Sequence, residues 1–135
     1  MLLNRITGGR AFNRMAGHEC CFVTMTGAKS GRRIMVPLMY VPFGEGVLLV
    51  ASLGGAPKNP VWFGSIVRNP DIVVRYRSGK PMHLVARLAE PGEKHALWPL
   101  CDASYPPYAD YRQRTTRDIP IFVCEPRAAA MRRGA

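Results

Sequence analysis

Alternation of hydrophobic and polar positions predicts β-structure along most of this chain. In residues 71–77 and 81–88, inward and outward positions alternate on both sides of the turn SGK, which is the pattern of a half-buried β-hairpin. Shorter apolar runs predict three further strands, at 19–26, 47–51 and 119–125. The apolar run 34–43 contains Pro37, which favours a sheet edge, a bulge or a barrel corner over a central strand. The pattern therefore predicts six strands.

Helical segments are predicted between these strands. Asn59 and Pro60 have the form of an N-cap followed by proline at the first helical position, and this helix would end before Asn69. A second helix begins at about Pro91, and the tyrosine-rich segment 104–115 is predicted as a loop or a short helix. Short turns join most strands, so the predicted fold is mainly β (α+β): a six-stranded antiparallel barrel with peripheral helices, in one domain.

Charge is the unusual feature of the composition. Nineteen Lys and Arg residues against nine Asp and Glu give a formal net charge of +10, which predicts an anionic partner. Nucleic acid is not expected, because the basic residues are spread over loops and the C-terminal end without a recognition motif. No run approaches the roughly 20 apolar residues of a membrane-spanning helix. Peripheral contact of segment 1–12 and the terminal arginines with anionic lipid stays open.

The four cysteines and three histidines do not form a recognisable pattern. The cysteines at 20, 21, 101 and 124 lack CxxC spacing, so we predict neither a disulfide framework nor a metal site. This use of cysteine suits a reducing cytoplasm, and no apolar segment behind Arg5 and Arg10 indicates a secretory signal.

Two cationic, glycine-bearing turns are candidates for an anion site. In SLGGAPKNPVWF, residues 52–63, the adjacent glycines allow close backbone approach, Lys58 adds charge, and the predicted helix start offers free N–H groups. In AKSGRR, three cations lie between two predicted strands. If both turns lie at one end of the barrel, one multiply anionic ligand would contact both. The alternative is a simple chain reversal in the first case and a solvated hairpin tip in the second.

Aromatic residues give candidates for the substrate side. Tyr105, Tyr108 and Tyr111 are spaced by three, so a helix would place their hydroxyls on one side, where they would bind or protonate a substrate. Packing of this stripe on the barrel is the alternative. Trp62 would either wall a planar ligand or pack in the core. No serine or cysteine nucleophile is indicated, so an enzyme of this sequence would depend on a cofactor.

Four motifs, in this order, resemble the deazaflavin-dependent nitroreductase family of the split β-barrel flavin/deazaflavin oxidoreductase superfamily. They are AKSGRR with VPLMYV, then VASLGGAPKNPVWFGSIVRNPD, LWPL and YPPYADYRQRTTRDIPIFVCEP, and they span about residues 19–126. The resemblance implies an FMN-binding split-barrel-like fold that holds coenzyme F420, whose phosphate and polyglutamate tail suit a basic protein. It implies three parts: an N-terminal arm 1–17, a barrel domain 18–127 and a basic C-terminal tail 128–135.

The resemblance also implies an activity and a site. Reduced F420 would pass hydride to a small-molecule acceptor, which is a quinone, a nitroaromatic compound or an activated enone. The residues that would contact the phosphate or charged tail lie in the first turn: Lys29, Ser30, Gly31, Arg32 and Arg33. Those that would line the coenzyme are Pro37, Leu38, Met39, Ala51, Ser52, Gly54, Gly55, Ala56, Pro57, Lys58, Asn59 and Trp62. The substrate-side residues would be Ser52, Tyr105, Tyr108 and Tyr111, with Tyr108 the proton donor ahead of Ser52.

Two departures from the family pattern affect the predicted coenzyme site. Ile34 and Leu53 stand where the family often has Arg and Lys, and each missing cation would cost on the order of 1 kcal/mol of binding if its contact is partly buried. Arg32 and Arg33 would compensate.

Two alternatives remain open: a non-catalytic carrier of a deazaflavin, flavin or lipid-like ligand, and an enzyme that uses FMN. Either a monomer or a homodimer is compatible with the sequence.

Overall fold

The computed structural model describes residues 14–15 and 18–134. Its strands are β1 (Arg14–Met15), β2 (His18–Thr26), β3 (Arg33–Met39), β4 (Val41–Phe43), β5 (Gly46–Val50), β6 (Asp71–Arg75), β7 (Met82–Leu88) and β8 (Ile121–Glu125). Its helices are α1 (Trp62–Arg68), α2 (Pro91–Ser104), α3 (Pro107–Arg114) and α4 (Arg127–Gly134), with one turn of 3-10 helix at Leu53–Gly55. Apart from β1, the predicted N-terminal arm lies outside the described residues.

The strands form one antiparallel sheet that curls back on itself. Their order is β3-β2-β6-β7-β8-β5-β4, with the two-residue β1 beside β2. Tyr40 alone separates β3, which pairs with β2, from β4, which pairs with β5. The chain therefore passes directly from one end of the sheet to the other. Pro37 lies in β3, whose sheet partner among the described strands is β2, an edge position of the kind predicted for it.

The prediction of a mainly β antiparallel fold with helices is confirmed, but the predicted number of strands is wrong. The apolar run 34–43 is divided at Tyr40 into two strands, so the described chain has seven strands besides β1 rather than six. The Tyr40 N–H still donates to the Glu19 carbonyl of β2 at 3.0 Å, while the next residue, Val41, pairs with Leu48 of β5. The division marks a change of partner strand.

Two hydrophobic cores lie on opposite faces of β5 and β8. On one face Val47, Leu49 and Phe122 pack with Trp62 and Ile66 of α1 and with the inward residues of β2, β6 and β7. On the other face, alternate residues of the same two strands pack against α2 and α3: Leu48, Val50, Ile121 and Val123. Every residue of β5 and β8 is buried, whereas β6 and β7 alternate between buried and more exposed positions. Two-sided burial explains why β5 and the first four residues of β8 are continuously apolar.

The helices differ from the sequence predictions at the start of α1 and at α4 (Arg127–Gly134), which occupies the segment predicted as a basic tail. The predicted N-cap at Asn59 is wrong, because α1 begins at Trp62 and the Asn59 side chain instead accepts a hydrogen bond from Arg117 at 2.5 Å. Helix α2 begins at Pro91 behind a capping box formed by Glu90 and Glu93. No helix in the described part of the chain is long and apolar enough to cross a membrane.

Candidate functional site

In the glycine turn, defined as residues 52–56, the backbone passes from the right-handed to the left-handed φ/ψ region between Ser52 and Leu53. Ser52 is right-handed (φ −79°, ψ −39°), whereas Leu53, Gly54 and Gly55 have positive φ values of 47°, 63° and 81°. Positive φ costs a residue with a Cβ roughly 1–2 kcal/mol, so the surroundings must hold Leu53 in place. A right-handed residue followed by a left-handed one directs successive N–H groups to one side, which is an arrangement that binds anions.

Arg117 fixes this turn from behind. Its guanidinium donates to the carbonyls of Ala51 (3.0 Å), Ser52 (2.6 Å) and Ala56 (3.0 Å) and to the Asn59 side-chain oxygen (2.5 Å). In a trans peptide the N–H points away from the preceding carbonyl, so the N–H groups of Ser52 and Leu53 point away from Arg117. Within the described residues, the N–H groups of Ser52, Leu53 and Gly54 donate to no other part of the chain. The turn therefore presents three unused donors.

The first predicted turn lies beside α1. The Ala28 N–H donates to the Ser65 hydroxyl at 3.2 Å, and the Asn69 amide donates to the Thr26 carbonyl at 3.3 Å. Of these two contacts, the one nearer the start of α1 is also the one nearer the tip of the β2–β3 hairpin. The hairpin tip therefore lies beside the helix that follows the glycine turn in the sequence.

Some cations of the described chain are paired with a carboxylate and others are not. The ion pairs among the described residues engage Arg77, Arg87, Lys94, Arg112, Arg127 and Arg132. The other cations with described side chains have no carboxylate partner in this part of the chain: Lys29, Arg32, Arg33, Lys58, Arg68, Arg75, Lys80, Arg114 and Arg117. Of these, Lys29 and Arg32 lie at the hairpin tip, Lys58 follows the glycine turn and Arg114 ends α3. The two predicted turns therefore keep cations whose charge no carboxylate offsets.

Arg114 is a cation of this site that the sequence did not indicate. Its guanidinium lies 5.5 Å from the centre of the Tyr111 ring. A Cβ placed on Gly55 would come within 3.1 Å of the Arg114 Cβ, so α3 brings this side chain to the glycine turn. Leu53 and Ile34, where the family often has cations, are 46% and 37% exposed.

Arg33 lies elsewhere. It precedes Ile34 in β3, so the two side chains leave the strand on opposite faces. Arg33 lines a cavity of about 260 Å³ together with Asp71, His83 and Arg127, and no residue of the glycine turn lines that cavity. Arg33 therefore lines a cavity apart from the glycine turn.

The tyrosines form a cluster against the glycine turn. Tyr105 is the C-cap that follows α2, and Tyr108 and Tyr111 belong to α3. The Tyr105 and Tyr111 hydroxyls are hydrogen-bonded at 2.9 Å, and the Tyr105 and Tyr108 rings meet edge to face with centres 4.9 Å apart. A Cβ on Gly55 would lie 2.8 Å from the Tyr111 carbonyl oxygen, so the turn and α3 are in direct contact.

The tyrosines differ in burial and in pKa. Tyr108 is 4% exposed, and its hydroxyl has no hydrogen-bond partner among the described residues. Burial raises the pKa of Tyr108, with a smaller contribution from Cys101. The hydrogen bond to Tyr111, followed by burial, raises the pKa of Tyr105 to about 12. Both phenols therefore stay protonated at neutral pH.

The remaining predicted site residues occupy varied positions. Ala51 and Ser52 are buried, Ala56 is half-buried, and Pro57 and Lys58 are exposed. Pro37, Leu38 and Met39 are half-buried in β3, and the hairpin tip contains Ser30 and Gly31. Trp62 packs in the barrel core, with its ring centre 6.0 Å from that of Phe122. All four cysteines are buried, and none of them forms a disulfide within the described chain.

Comparison with known proteins gives matches along most of the chain. A family model described as F420H(2)-dependent quinone reductase matches residues 2–126. An F420H(2)-dependent quinone reductase of Mycobacterium tuberculosis is 31% identical over 123 residues, which is 88% of this chain and 82% of that protein. A solved structure of an F420-H2 dependent reductase (FDR-A) has a TM-score of 0.72 and 41% identity, covering 78% of this chain and 93% of the other. Another, described as a domain-swapped dimer, has a TM-score of 0.72 and 36% identity, covering 91% and 97%.

Proposed function

Because the chain belongs to the family of F420H(2)-dependent quinone reductases, we propose that it transfers hydride from reduced coenzyme F420 to a quinone. The observation that carries this proposal is the glycine turn, which presents three unused N–H donors beside cations that lack carboxylate partners. Such a surface fits the phosphate and acidic tail of F420. The family and the relative both name F420H(2), which favours the deazaflavin over the FMN that the sequence left open.

The proposed coenzyme site combines backbone and side-chain donors. The N–H groups of residues 52–54 would bind the phosphate, and Lys29, Arg32, Lys58 and Arg114 would neutralise the acidic groups. When bound, the reduced deazaflavin supplies the hydride. The half-buried residues of β3 and the buried Ala51 and Ser52 would line the coenzyme, while Trp62 supports that wall from the core.

The tyrosine cluster is the proposed source of the proton. Reducing a quinone to a quinol takes one hydride and one proton, so the site needs an acid that is protonated at neutral pH. Tyr108 meets this need because its pKa is raised and its hydroxyl has no partner among the described residues. The Tyr105–Tyr111 hydroxyl pair lies next to it, and Ser52 is the less favoured donor. Nitroaromatics and activated enones are further acceptors within the proposal.

An anaerobic assay tests the proposed function. Purified protein is mixed with reduced F420 and menadione, a nitroaromatic or an enone, and coenzyme oxidation is followed by deazaflavin fluorescence. We expect turnover with menadione. Separate titrations with F420 and FMN should show tighter binding of F420, whose tail carries more negative charge. Tight F420 binding without oxidation by any acceptor would instead indicate the non-catalytic carrier.

A further inference from the structure

Arg117 is joined to the glycine turn by an unusual number of hydrogen bonds. Its guanidinium has four acceptors, and all of them lie in residues 51–59, between 58 and 66 positions away in the sequence. Three of the acceptors are backbone carbonyls. A guanidinium has five N–H donors in one plane, whereas a lysine ammonium has three around one nitrogen. Arginine is therefore the side chain that can hold these carbonyls together.

We infer that Arg117 is a positioning residue that shapes the turn for the anionic part of the coenzyme. This inference rests on the proposed function. The guanidinium holds the carbonyls of Ala51 and Ser52, so it fixes the two peptide planes whose N–H groups belong to Ser52 and Leu53. Without it, the Ala51 carbonyl would lose its hydrogen bond and the Ser52 carbonyl would keep only the one from the Gly55 N–H at 3.0 Å, so the orientation of the donors would be less fixed.

Other contacts fix the Arg117 segment, defined as residues 115–119, independently of the guanidinium. The Lys94 ammonium of α2 donates to the Asp118 carboxylate at 2.6 Å and to the Ile119 carbonyl at 2.7 Å. The Arg117 N–H donates to the Thr115 hydroxyl at 3.0 Å. Replacing the guanidinium should therefore loosen the turn while leaving the segment in place.

The charge of Arg117 also acts on the turn. All of its acceptors in the described chain are uncharged, so no carboxylate cancels its charge. A positive charge on the carbonyl side of a peptide favours negative charge at the N–H side. Arg117 thus assists anion binding without touching the anion.

The test compares Arg117→Lys and Arg117→Gln with Arg87→Lys. Arg87 is a matched control because it binds Glu93 through two hydrogen bonds of 2.8 Å and has no bond to the turn. Hydrogen exchange is measured without coenzyme at the amides of Gly55 and Ala56, which donate to the carbonyls of Ser52 and Leu53 at 3.0 Å, and F420 binding is measured by fluorescence titration. We expect faster exchange at these amides and binding weakened by about tenfold or more in both Arg117 variants, and neither change in Arg87→Lys.

Steady-state kinetics separate positioning from catalysis. In Arg117→Lys, KM for reduced F420 should rise while kcat at saturation stays within about threefold of the wild-type value. If both Arg117 variants fail to fold, Asn59→Ala, which removes one of the four acceptors, should show the same exchange and binding changes at smaller size. Folded Arg117 variants with unchanged exchange at the turn and unchanged binding would overturn the inference. Wild-type protein that does not bind F420 would overturn the proposed function, and the exchange measurement would still decide the positioning role.

Discussion

Gly55 and Tyr111 are in contact through their backbones. A Cβ on Gly55 would lie 2.8 Å from the Tyr111 carbonyl oxygen and 3.2 Å from its Cα, and the Gly55 φ of 81° already disfavours a side chain. This contact joins two features that were separate in the sequence, the glycine turn and the tyrosine cluster. Under the proposed function, their adjacency would let one site hold an anionic coenzyme and deliver a proton.

The contact predicts that Gly55→Ala lowers the free energy of unfolding by about 2 kcal/mol or more, because strain in φ adds to a backbone clash. Thermal denaturation measures the loss. Gly54→Ala is the matched control: its φ is 63°, but nothing lies within 4 Å of an added Cβ, so strain of about 1 kcal/mol is expected alone. Equal losses in the two variants would show that the contact with α3 is unimportant.

Restoring a cation at the glycine turn should strengthen coenzyme binding. We expect Leu53→Lys to lower the F420 dissociation constant by roughly tenfold, with a steeper dependence on salt, because the side chain is exposed beside three unused N–H groups. Leu53→Gln is the control, since it carries the same backbone strain without a charge. Fluorescence titrations at low and high salt measure both effects. Similar affinities for the two variants would argue against an anion at this turn.

Tyr108→Phe tests the proposed proton donor. Loss of the hydroxyl should lower kcat for menadione by about a hundredfold and leave F420 affinity unchanged. Stability should be kept or increased, because no hydrogen bond of the Tyr108 hydroxyl to the described chain is lost. Tyr105→Phe is the comparison, and its effect on kcat should be smaller. If Tyr108→Phe retains full kcat, the proton comes from another group, and Ser52→Ala is the next variant to measure.

The raised tyrosine pKa values predict a loss of stability at high pH. Unfolded tyrosines release their protons near pH 10, whereas folded Tyr105 has a pKa of about 12 and that of Tyr108 is also raised. In this window the unfolded state binds fewer protons than the folded state, so the free energy of unfolding falls as pH rises. Below about pH 10 these groups have no such effect.

Urea denaturation at a series of pH values from about 8 to 11 measures this dependence. Tyr105→Phe should lose stability less steeply than the wild-type protein over the upper part of the range. The same slope in both proteins would mean that the Tyr105 phenol ionises equally in the folded and unfolded states.

Patterns within single strands were readable from the sequence. The alternation in β6 and β7 follows from one face packing inward and one facing out, so a short window contains the needed information. The two-residue turn at Gly44 and Glu45, between β4 and β5, could likewise be recognised from a few neighbouring residues. The break at Tyr40 could not, because VPLMYVPF is apolar on both sides of it. Only the change of partner from β2 to β5 creates two strands there.

The parts of the candidate site that lie in short sequence motifs were predictable. The contributions of residues distant in the sequence were not. Asn59 has the local sequence of an N-cap, but its side-chain oxygen accepts a hydrogen bond from Arg117, which is 58 positions away. Arg117 itself follows two threonines and precedes an aspartate, a setting typical of a solvated surface. In the sequence, Arg114 is typical of a basic residue at the end of a helix. Only the contact of α3 with Gly55 shows that it lies at the turn.

The long reach of Arg117 has a consequence for biosynthesis. Because its hydrogen-bond partners precede it by 58 to 66 residues, those acceptors leave the ribosome first and stay without this partner until Arg117 itself has been made and has emerged. The coenzyme would then encounter a competent turn only after that point. Products truncated before Arg117 should consequently be unable to bind the coenzyme.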